Sequence, residues 1–408
     1  MKRFLGIALS VVMLTGMLCG CSKNNNASKP GTTTSSSGES KENITLTVWE
    51  STGGPDKFIE QAGERYTKLH PDVTVKFVNV ELDNTSSQIA LDGPAGVGPD
   101  LFVSPHDKIG ELVEGGHIEE TRNADKIKAA VLPVCADAIT YKGKMYGYPV
   151  AAETYALFYN KKLVNEVPKT FEEVESFCRN YNSGDRYGLM FDVANGYYTV
   201  IFTTNDGNRP FDGFEKDPTD SKINNASAVK GMEYFQSLRK SILNVPSSDL
   251  TTAVADEAFK SGKAAMHITG PWNVASFRDA GLDFGVAPLP CLPGEDTPPA
   301  SFSGVRTMFV SAYSKHPDEA ADFAQFLVSE DMQRLRYELT EAIPSIPLDI
   351  DDDHLSGFLE QLDHAFAMPS IPQMSKFWDA MNSASANVWD GADVKKELDA
   401  CNKAIVSN

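Results

Sequence analysis

The chain predicts an α/β protein of two lobes. Its apolar residues switch repeatedly between a period of about two and a period of about 3.6. The strands and helices marked this way interleave along the chain instead of forming separate blocks. The roughly 360 residues that follow a polar leader also exceed the size at which single hydrophobic cores stop growing. The interleaving argues against a β-sandwich or a helical array, and no internal repeat is present.

Ile44-Thr45-Leu46-Thr47-Val48-Trp49 alternates apolar and polar residues, as a half-buried strand does. Phe58, Ile59, Ala62, Tyr66 and Leu69 then fall at helical spacing, and Pro71 stops that helix. Val73, Val75 and Phe77 restore the strand period, so the chain opens strand, helix, strand. There follow a strand at Leu101-Phe102-Val103, a helix after His106, a tight turn at Lys142-Gly143 and a strand from Tyr155 to Tyr159. The middle is helix-rich, over 170–180, 222–242 and 251–261. Ala264 to Ile268 reads as a strand ending at Gly270-Pro271, where proline can open a new helix. Met308 to Ser311 is one more strand before a mostly helical remainder.

The first residues have a different character. Lys2 and Arg3 precede an uncharged, mainly apolar run that stops at Leu18, shorter than the roughly 20 residues a spanning helix needs, so a cleaved export signal over residues 1–20 is expected. The run ends Leu18-Cys19-Gly20-Cys21, which resembles the lipobox of bacterial lipoproteins. That resemblance implies lipidation of Cys21 as the new N-terminus and anchoring to the outer face of the cell membrane; ordinary cleavage is the alternative. Residues 21–43 hold almost no apolar side chain and read as a disordered tether. The formal net charge of −19 argues against nucleic acid and anionic lipid surfaces as partners. Cys135, Cys178, Cys291 and Cys401 are dispersed without any C-x-x-C pair, so neither a zinc site nor a disulfide framework is expected. Free thiols are the default, with one long-range disulfide left open for an exported protein.

Motifs that would carry catalysis are missing: there is no H-E-x-x-H, no G-x-S-x-G and no Walker loop. Gly93-Pro94-Ala95-Gly96-Val97-Gly98 is glycine-rich but lacks the following Lys and Ser/Thr, and reads as a loop. The acidic run Asp349, Asp351, Asp352, Asp353 lacks the glycine and distal Glu of a calcium loop and reads as a solvated turn. No catalytic residue, metal or cofactor is expected. More telling are aromatics in turn-like contexts: Tyr197 after Asn195-Gly196, Trp272 after Gly270-Pro271, and Trp378 after Ile371-Pro372-Gln373. A pyranose ring has apolar C–H faces and a belt of hydroxyls, so it needs flat aromatic platforms with carboxylates or amides beside them.

Several blocks carry a wider resemblance: Gly98-Pro99-Asp100-Leu101-Phe102 with His106-Asp107-Lys108, Tyr148-Pro149-Val150-Ala151-Ala152-Glu153, Gly270-Pro271-Trp272, and Met368-Pro369-Ser370-Ile371-Pro372-Gln373-Met374-Ser375 with Phe377-Trp378. With them the chain resembles the maltose/maltodextrin-binding proteins of bacterial ABC importers, from Ile44 to the C-terminus. The resemblance implies a two-lobed periplasmic-binding-protein-like fold (type II), each lobe a mixed sheet flanked by helices, with a hinged cleft. The N-lobe would be 44–152 plus 305–350 and the C-lobe 153–304 plus 351–408. It implies a monomer that captures malto-oligosaccharide by hinge closure and delivers it to the permease subunits. Asp107 and Glu153 would accept bonds from sugar hydroxyls, Lys108 would donate, and Tyr197, Trp272 and Trp378 would be stacking platforms. Asp107 and Lys108 would form one wall, and Glu153 with the aromatics the other.

The departures from the family pattern bear on specificity. Gly53-Gly54 stands where an Asp-Lys pair is usual, Ser104 replaces a tryptophan, and Asn195 replaces a glutamate. Since a hydrogen bond to a charged group contributes about 1.5–3 kcal/mol, affinity or preferred chain length should change. Glu50, Ser51 and Asp56 lie near the vacated positions, and Glu50, Ser104 and Asn195 are further ligand-binding candidates. The same role for a galacto-oligosaccharide or cyclodextrin is the alternative. A glycoside hydrolase is a distant one, offering Asp107 and Glu153 but no hydrolase motif.

Overall fold

The computed structural model describes residues 43–407 apart from residue 215. The expected signal segment, Cys21 and the tether up to residue 42 lie outside the described residues. The strands are β1 (Ile44–Glu50), β2 (Val73–Asn79), β3 (Leu101–Pro105), β4 (Thr140–Tyr141), β5 (Lys144–Met145), β6 (Tyr148–Glu153), β7 (Ala156–Asn160), β8 (Tyr187–Met190), β9 (Ala264–Thr269), β10 (Phe284–Ala287), β11 (Phe302–Val310) and β12 (Phe366–Ala367). They build two sheets and one short hairpin.

The first sheet runs β12-β11-β3-β1-β2, with β6 also on β11. β1 pairs in parallel with β2 and β3, while β11 is antiparallel to β3 and β6. The parallel β1/β2 pair needs a crossover, supplied by the helix Pro55–Leu69, whose Phe58, Ile59, Ala62 and Tyr66 are buried as their spacing predicts. Leu69, expected on the same face, is exposed, because it ends the helix beyond the core while His70 stacks on Tyr66 at 4.3 Å. The second sheet runs β10-β7-β9-β8. Strands β7 and β9 are its buried centre, with Leu157, Phe158, Met266 and Ile268 inaccessible to solvent.

The chain passes from the first sheet to the second between Glu153 and Ala156, so only Thr154 and Tyr155 separate β6 from β7. It returns before Phe302. The two crossings are tied together: Thr154 Oγ1 is 2.8 Å from Ser301 Oγ and donates to the Phe302 carbonyl at 3.0 Å. Gln361 reaches the same point, donating to Ser301 Oγ at 3.0 Å. Hydroxyl and amide groups of Thr154, Ser301 and Gln361 hold this buried junction where the backbone changes sheets, while the buried Tyr155 hydroxyl beside them makes no hydrogen bond among the described residues.

Local chemistry explains most differences from the sequence expectations. The helix expected over 222–242 spans Ala226–Ser241, because the Asn225 side chain accepts from the Ala228 amide and caps it there. The Lys142-Gly143 turn closes the β4/β5 hairpin with φ of 50° and 78°, the pair of left-handed residues a two-residue hairpin requires. Asp352, expected in a solvated turn, instead caps the helix Asp353–Leu362, accepting from the amides of His354 and Leu355, and pairs with Arg278 at 3.2 Å. β11 is longer than the strand expected at Met308, because Ser303, Arg306 and Thr307 are polar residues within a strand that has partners on both edges. All four described cysteines are free thiols.

The helix Ile109–Glu114 lies against residues 370–372, and the contact works only without a side chain at Gly110. A Cβ there would come within 2.6 Å of the Ser370 carbonyl oxygen and 2.8 Å of Pro372. Gly110→Ala should therefore destabilise the fold by about 1–3 kcal/mol, read as a lower urea midpoint at unchanged slope.

Candidate functional site

The site begins with Tyr197, brought into place by a short helix. The Asn195 side chain accepts from the Tyr197 amide at 3.0 Å and opens the helix Gly196–Thr199. The Gly196 amide donates to Asn382 Oδ1 at 2.7 Å, which docks that helix on the helix Met374–Trp389 carrying Trp378. The ring of Tyr197 then lies 6.2 Å from Trp272, 6.3 Å from Phe302 and 6.4 Å from Trp378, centroid to centroid. Trp272 projects from the turn Pro271–Asn273 and folds over Gly270, where a Cβ would meet its ring at 2.2 Å. It remains 41% exposed, unusual for an indole that is not held for contact with something else.

Asp107 joins this group. It lies in the turn His106–Lys108 at the end of β3, is 3% exposed, and accepts from Trp378 Nε1 at 3.0 Å. His106 anchors the turn. Its Nδ1 accepts from the Val305 amide at 3.0 Å, so the proton must be on Nε2, which faces the Met368 carbonyl at 2.8 Å. Burial pushes the His106 pKa down, consistent with that neutral ring. Asp107 and Trp378, expected on opposite walls, are thus bonded directly. The reason is that the His106–Lys108 turn is fastened to the segment that leads into the Trp378 helix.

Glu153 belongs to a second, charged group. Glu50, at the end of β1 and fully buried, is clasped by Arg306 of β11. Arg306 Nη2 donates to Glu50 Oε1, its Nε donates to Glu50 Oε2 at 3.3 Å, and Nη2 also reaches Ser51 Oγ at 2.6 Å. Arg336 Nη1 is 3.7 Å from Glu50 Oε2, with its guanidinium 5.1 Å from the Phe58 ring centroid. On the other side, Arg306 Nη1 is 3.9 Å from Glu153 Oε1. Burial opposes the charge on Glu50, but Arg306 and Arg336 outweigh it and hold the carboxyl below its ordinary range. For Glu153 burial prevails, and its pKa is raised despite the same two cations. Burial, followed by the neighbouring positive charge of Arg306, brings Arg336 down to about 10, so it remains a cation at neutral pH.

The two groups meet at Tyr197, whose phenol is pushed well above its ordinary value by burial first and then by nearby charges that include Glu153 and Asp107. Among the expected residues the structure therefore gathers Asp107, Glu153, Tyr197, Trp272 and Trp378. Asn195 acts as the helix cap described above. Lys108 is half-buried and makes no hydrogen bond or ion pair among the described residues, and the hydroxyl of Ser104 is buried without a partner. Gly53 and Gly54 have φ of 88° and 127°, and the Gly54 amide donates to Asp56 Oδ1 at 2.8 Å. Of the residues near the vacated positions, Asp56 is thus committed to the loop, while Glu50 and Ser51 hold Arg306. Sequence reasoning missed Phe302, Arg306 and Arg336. The available signal for Arg306 was a lone cation in the strand-like run Val305 to Val310, whose one other polar residue is Thr307.

Flat apolar rings edged by carboxylates can take the C–H faces and hydroxyl belt of a sugar ring. Two other hollows, of about 430 Å³ beside Arg278 and about 650 Å³ beside Leu250, share no lining residue with this group.

The comparisons agree with a solute-binding architecture. The chain belongs to the bacterial extracellular solute-binding proteins, whose description residues 61–353 match. It is 33% identical to the galactooligosaccharide-binding protein of Bacillus subtilis, over 90% of this chain and 89% of that one. It is 28% identical to the maltooligosaccharide ABC transporter solute-binding lipoprotein of Streptococcus pneumoniae, over 91% and 89%. Among solved structures, a cyclo/maltodextrin-binding protein complexed with maltotetraose superposes with a TM-score of 0.77 at 33% identity, covering 90% of this chain and 97% of the other.

The opposed shifts of Glu50 and Glu153 give a stability test. A carboxyl whose folded pKa is raised costs stability above that pKa, and the cost disappears once pH falls below the unfolded value. Glu153→Gln should melt higher than the unsubstituted protein at pH 7, and the gap should narrow as pH falls through the raised pKa of Glu153. Thermal melts of both proteins from pH 7 to pH 4 check this.

Proposed function

We propose that this protein is the substrate-binding lipoprotein of an ABC importer, that it captures malto-oligosaccharides, and that it is not an enzyme. The observation that carries the reading is the junction of Tyr197, Trp272 and Trp378 with Asp107 bonded to the Trp378 indole. Rings at this spacing stack on successive apolar sugar faces, while Asp107 and Glu153 accept hydroxyl protons at the edge. Relatives named for maltooligosaccharide and maltodextrin support the substrate class.

In this reading the lobes 44–152 plus 305–350 and 153–304 plus 351–408 close on the sugar by bending at Thr154-Tyr155 and before Phe302. Ligand shifts the balance toward the closed form only through its greater affinity for that form, and the permease reads closure. The protein acts as a monomer and is held by a lipid on Cys21 at the outer face of the cell membrane, in keeping with the lipoprotein name of its pneumococcal relative.

A second reading is capture of galacto-oligosaccharides, favoured by the 33% identical Bacillus relative. Titration calorimetry separates the two. Maltotriose and longer maltodextrins should bind near micromolar, about −8 kcal/mol. Heat with β-1,4-galactans and none with any glucan would move the substrate to the second reading. Trp272→Ala combined with Trp378→Ala should abolish measurable binding, and binding that persists in this double variant removes the aromatic site.

A further inference from the structure

We infer that Arg306, together with Glu153, forms a preset donor–acceptor pair for one hydroxyl of the bound oligosaccharide, and that Glu50 serves to hold Arg306 in that pose. This deepens the carbohydrate-binding reading above and rests on it.

A guanidinium carries five N–H donors in a fixed plane. Glu50 takes Nε and Nη2 in a two-point clasp, with Ser51 Oγ also on Nη2. Only Nη1 is left, and it makes no hydrogen bond among the described residues. Its neighbour is Glu153 Oε1 at 3.9 Å, an ion-pair distance but too long for a hydrogen bond. The Glu153 carboxylate likewise accepts no hydrogen bond among the described residues. Arg306 and Glu153 keep 11% and 18% of their side-chain surface open, whereas Glu50 keeps none.

A hydroxyl oxygen has both the acceptor and the donor this gap lacks. Seated about 2.9 Å from each atom, it takes a proton from Nη1 and gives its own to Oε1. Both bonds are charge-assisted, and the clasp on Glu50 fixes the guanidinium plane before ligand arrives, so little side-chain freedom is lost on binding. Donor and acceptor come from adjacent strands, Arg306 from β11 and Glu153 from β6, so the sheet itself fixes their separation. Glu153 is paired with Gly304 of β11, two residues from Phe302, whose ring lies 6.3 Å from Tyr197, so the hydroxyl concerned is assigned to the sugar unit lying on that ring.

The test is calorimetry on the purified full chain with maltotriose, β-1,4-galactotriose and a series of monodeoxy maltotriosides or galactotriosides. Arg306→Gln alone strips the buried Glu50 of its hydrogen-bonded partner and leaves only Arg336 at 3.7 Å, so the working variant is Glu50→Gln combined with Arg306→Gln, with Arg306→Lys as a second variant that keeps the charge beside Glu50. Each sugar the unsubstituted protein binds should bind the double variant about tenfold or more weakly. One monodeoxy analogue should lose about tenfold with the unsubstituted protein, and less than about threefold with either variant, since the deleted hydroxyl no longer has its donor. Variants that bind as tightly as the unsubstituted protein, or a deoxy penalty that stays the same in both variants, overturn the role of Arg306 and leave sugar capture standing. Absence of binding of either trisaccharide to the unsubstituted protein overturns the carbohydrate reading itself, and the Arg306 assignment with it.

Discussion

A carboxylate with no access to water dictates much of this architecture. Glu50 ends the central part of the first sheet, and an unpaired charge in that position costs several kcal/mol. Its counter-ions come from β11 and from the helix Glu330–Thr340, both more than two hundred residues away along the chain. One pair of carboxyl oxygens therefore requires three separate segments to converge. A hydrophobic replacement could fill the volume equally well, since buried ion pairs seldom surpass good packing. It would not aim a guanidinium. The ionic solution gives direction, and direction is what leaves one edge of Arg306 facing Glu153.

The aromatic half of the site obeys a different logic. Trp272 and Tyr197 are placed by backbone devices: a glycine that yields room to an indole, and an asparagine cap that turns the chain under the phenol. Trp378 is oriented by its single polar atom, which Asp107 fixes, while Phe302 and Phe377 pack at 5.8 and 4.9 Å from its ring. The neutral His106 then couples Asp107 to β11 and to the Met368 segment at once. Because Phe302 lies both at the second crossing between sheets and beside Trp378, a change of angle there is felt directly by the stacking surface.

Much of this could be read from the residues themselves, because the governing interactions were local. Alternation at Ile44 to Trp49 and helical spacing from Phe58 to Tyr66 describe what each segment buries, and the structure buries Leu46, Val48, Phe58, Ile59, Ala62 and Tyr66, with Ile44 half-buried at the strand's start. The grouping of Tyr197, Trp272 and Trp378 was legible because each follows a turn-forming pair that stops it from reading as ordinary core. Arg306 was not legible. A cation in a strand signals a solvated face, and its explanation is a glutamate 256 positions earlier that the sequence offered only as a ligand-binding candidate. Asp352 failed for a related reason: in a run of aspartates, composition says turn, and only the amides that follow decide which one caps a helix. Ser104, buried with an unpartnered hydroxyl, has no explanation in either sequence or structure.

The loop at Gly53 and Gly54 constrains what substitution can achieve beside the site. Both residues occupy backbone angles that side chains resist, and at Gly54 a Cβ would press to 2.9 Å from the Leu339 carbonyl oxygen. Installing a charged pair there by point mutation meets backbone strain at both steps, so each single substitution is disfavoured before any benefit from a second can appear. New side chains can enter the site at far lower cost from its strands, helices and aromatic turns than from this loop, which would have to be rebuilt as a whole.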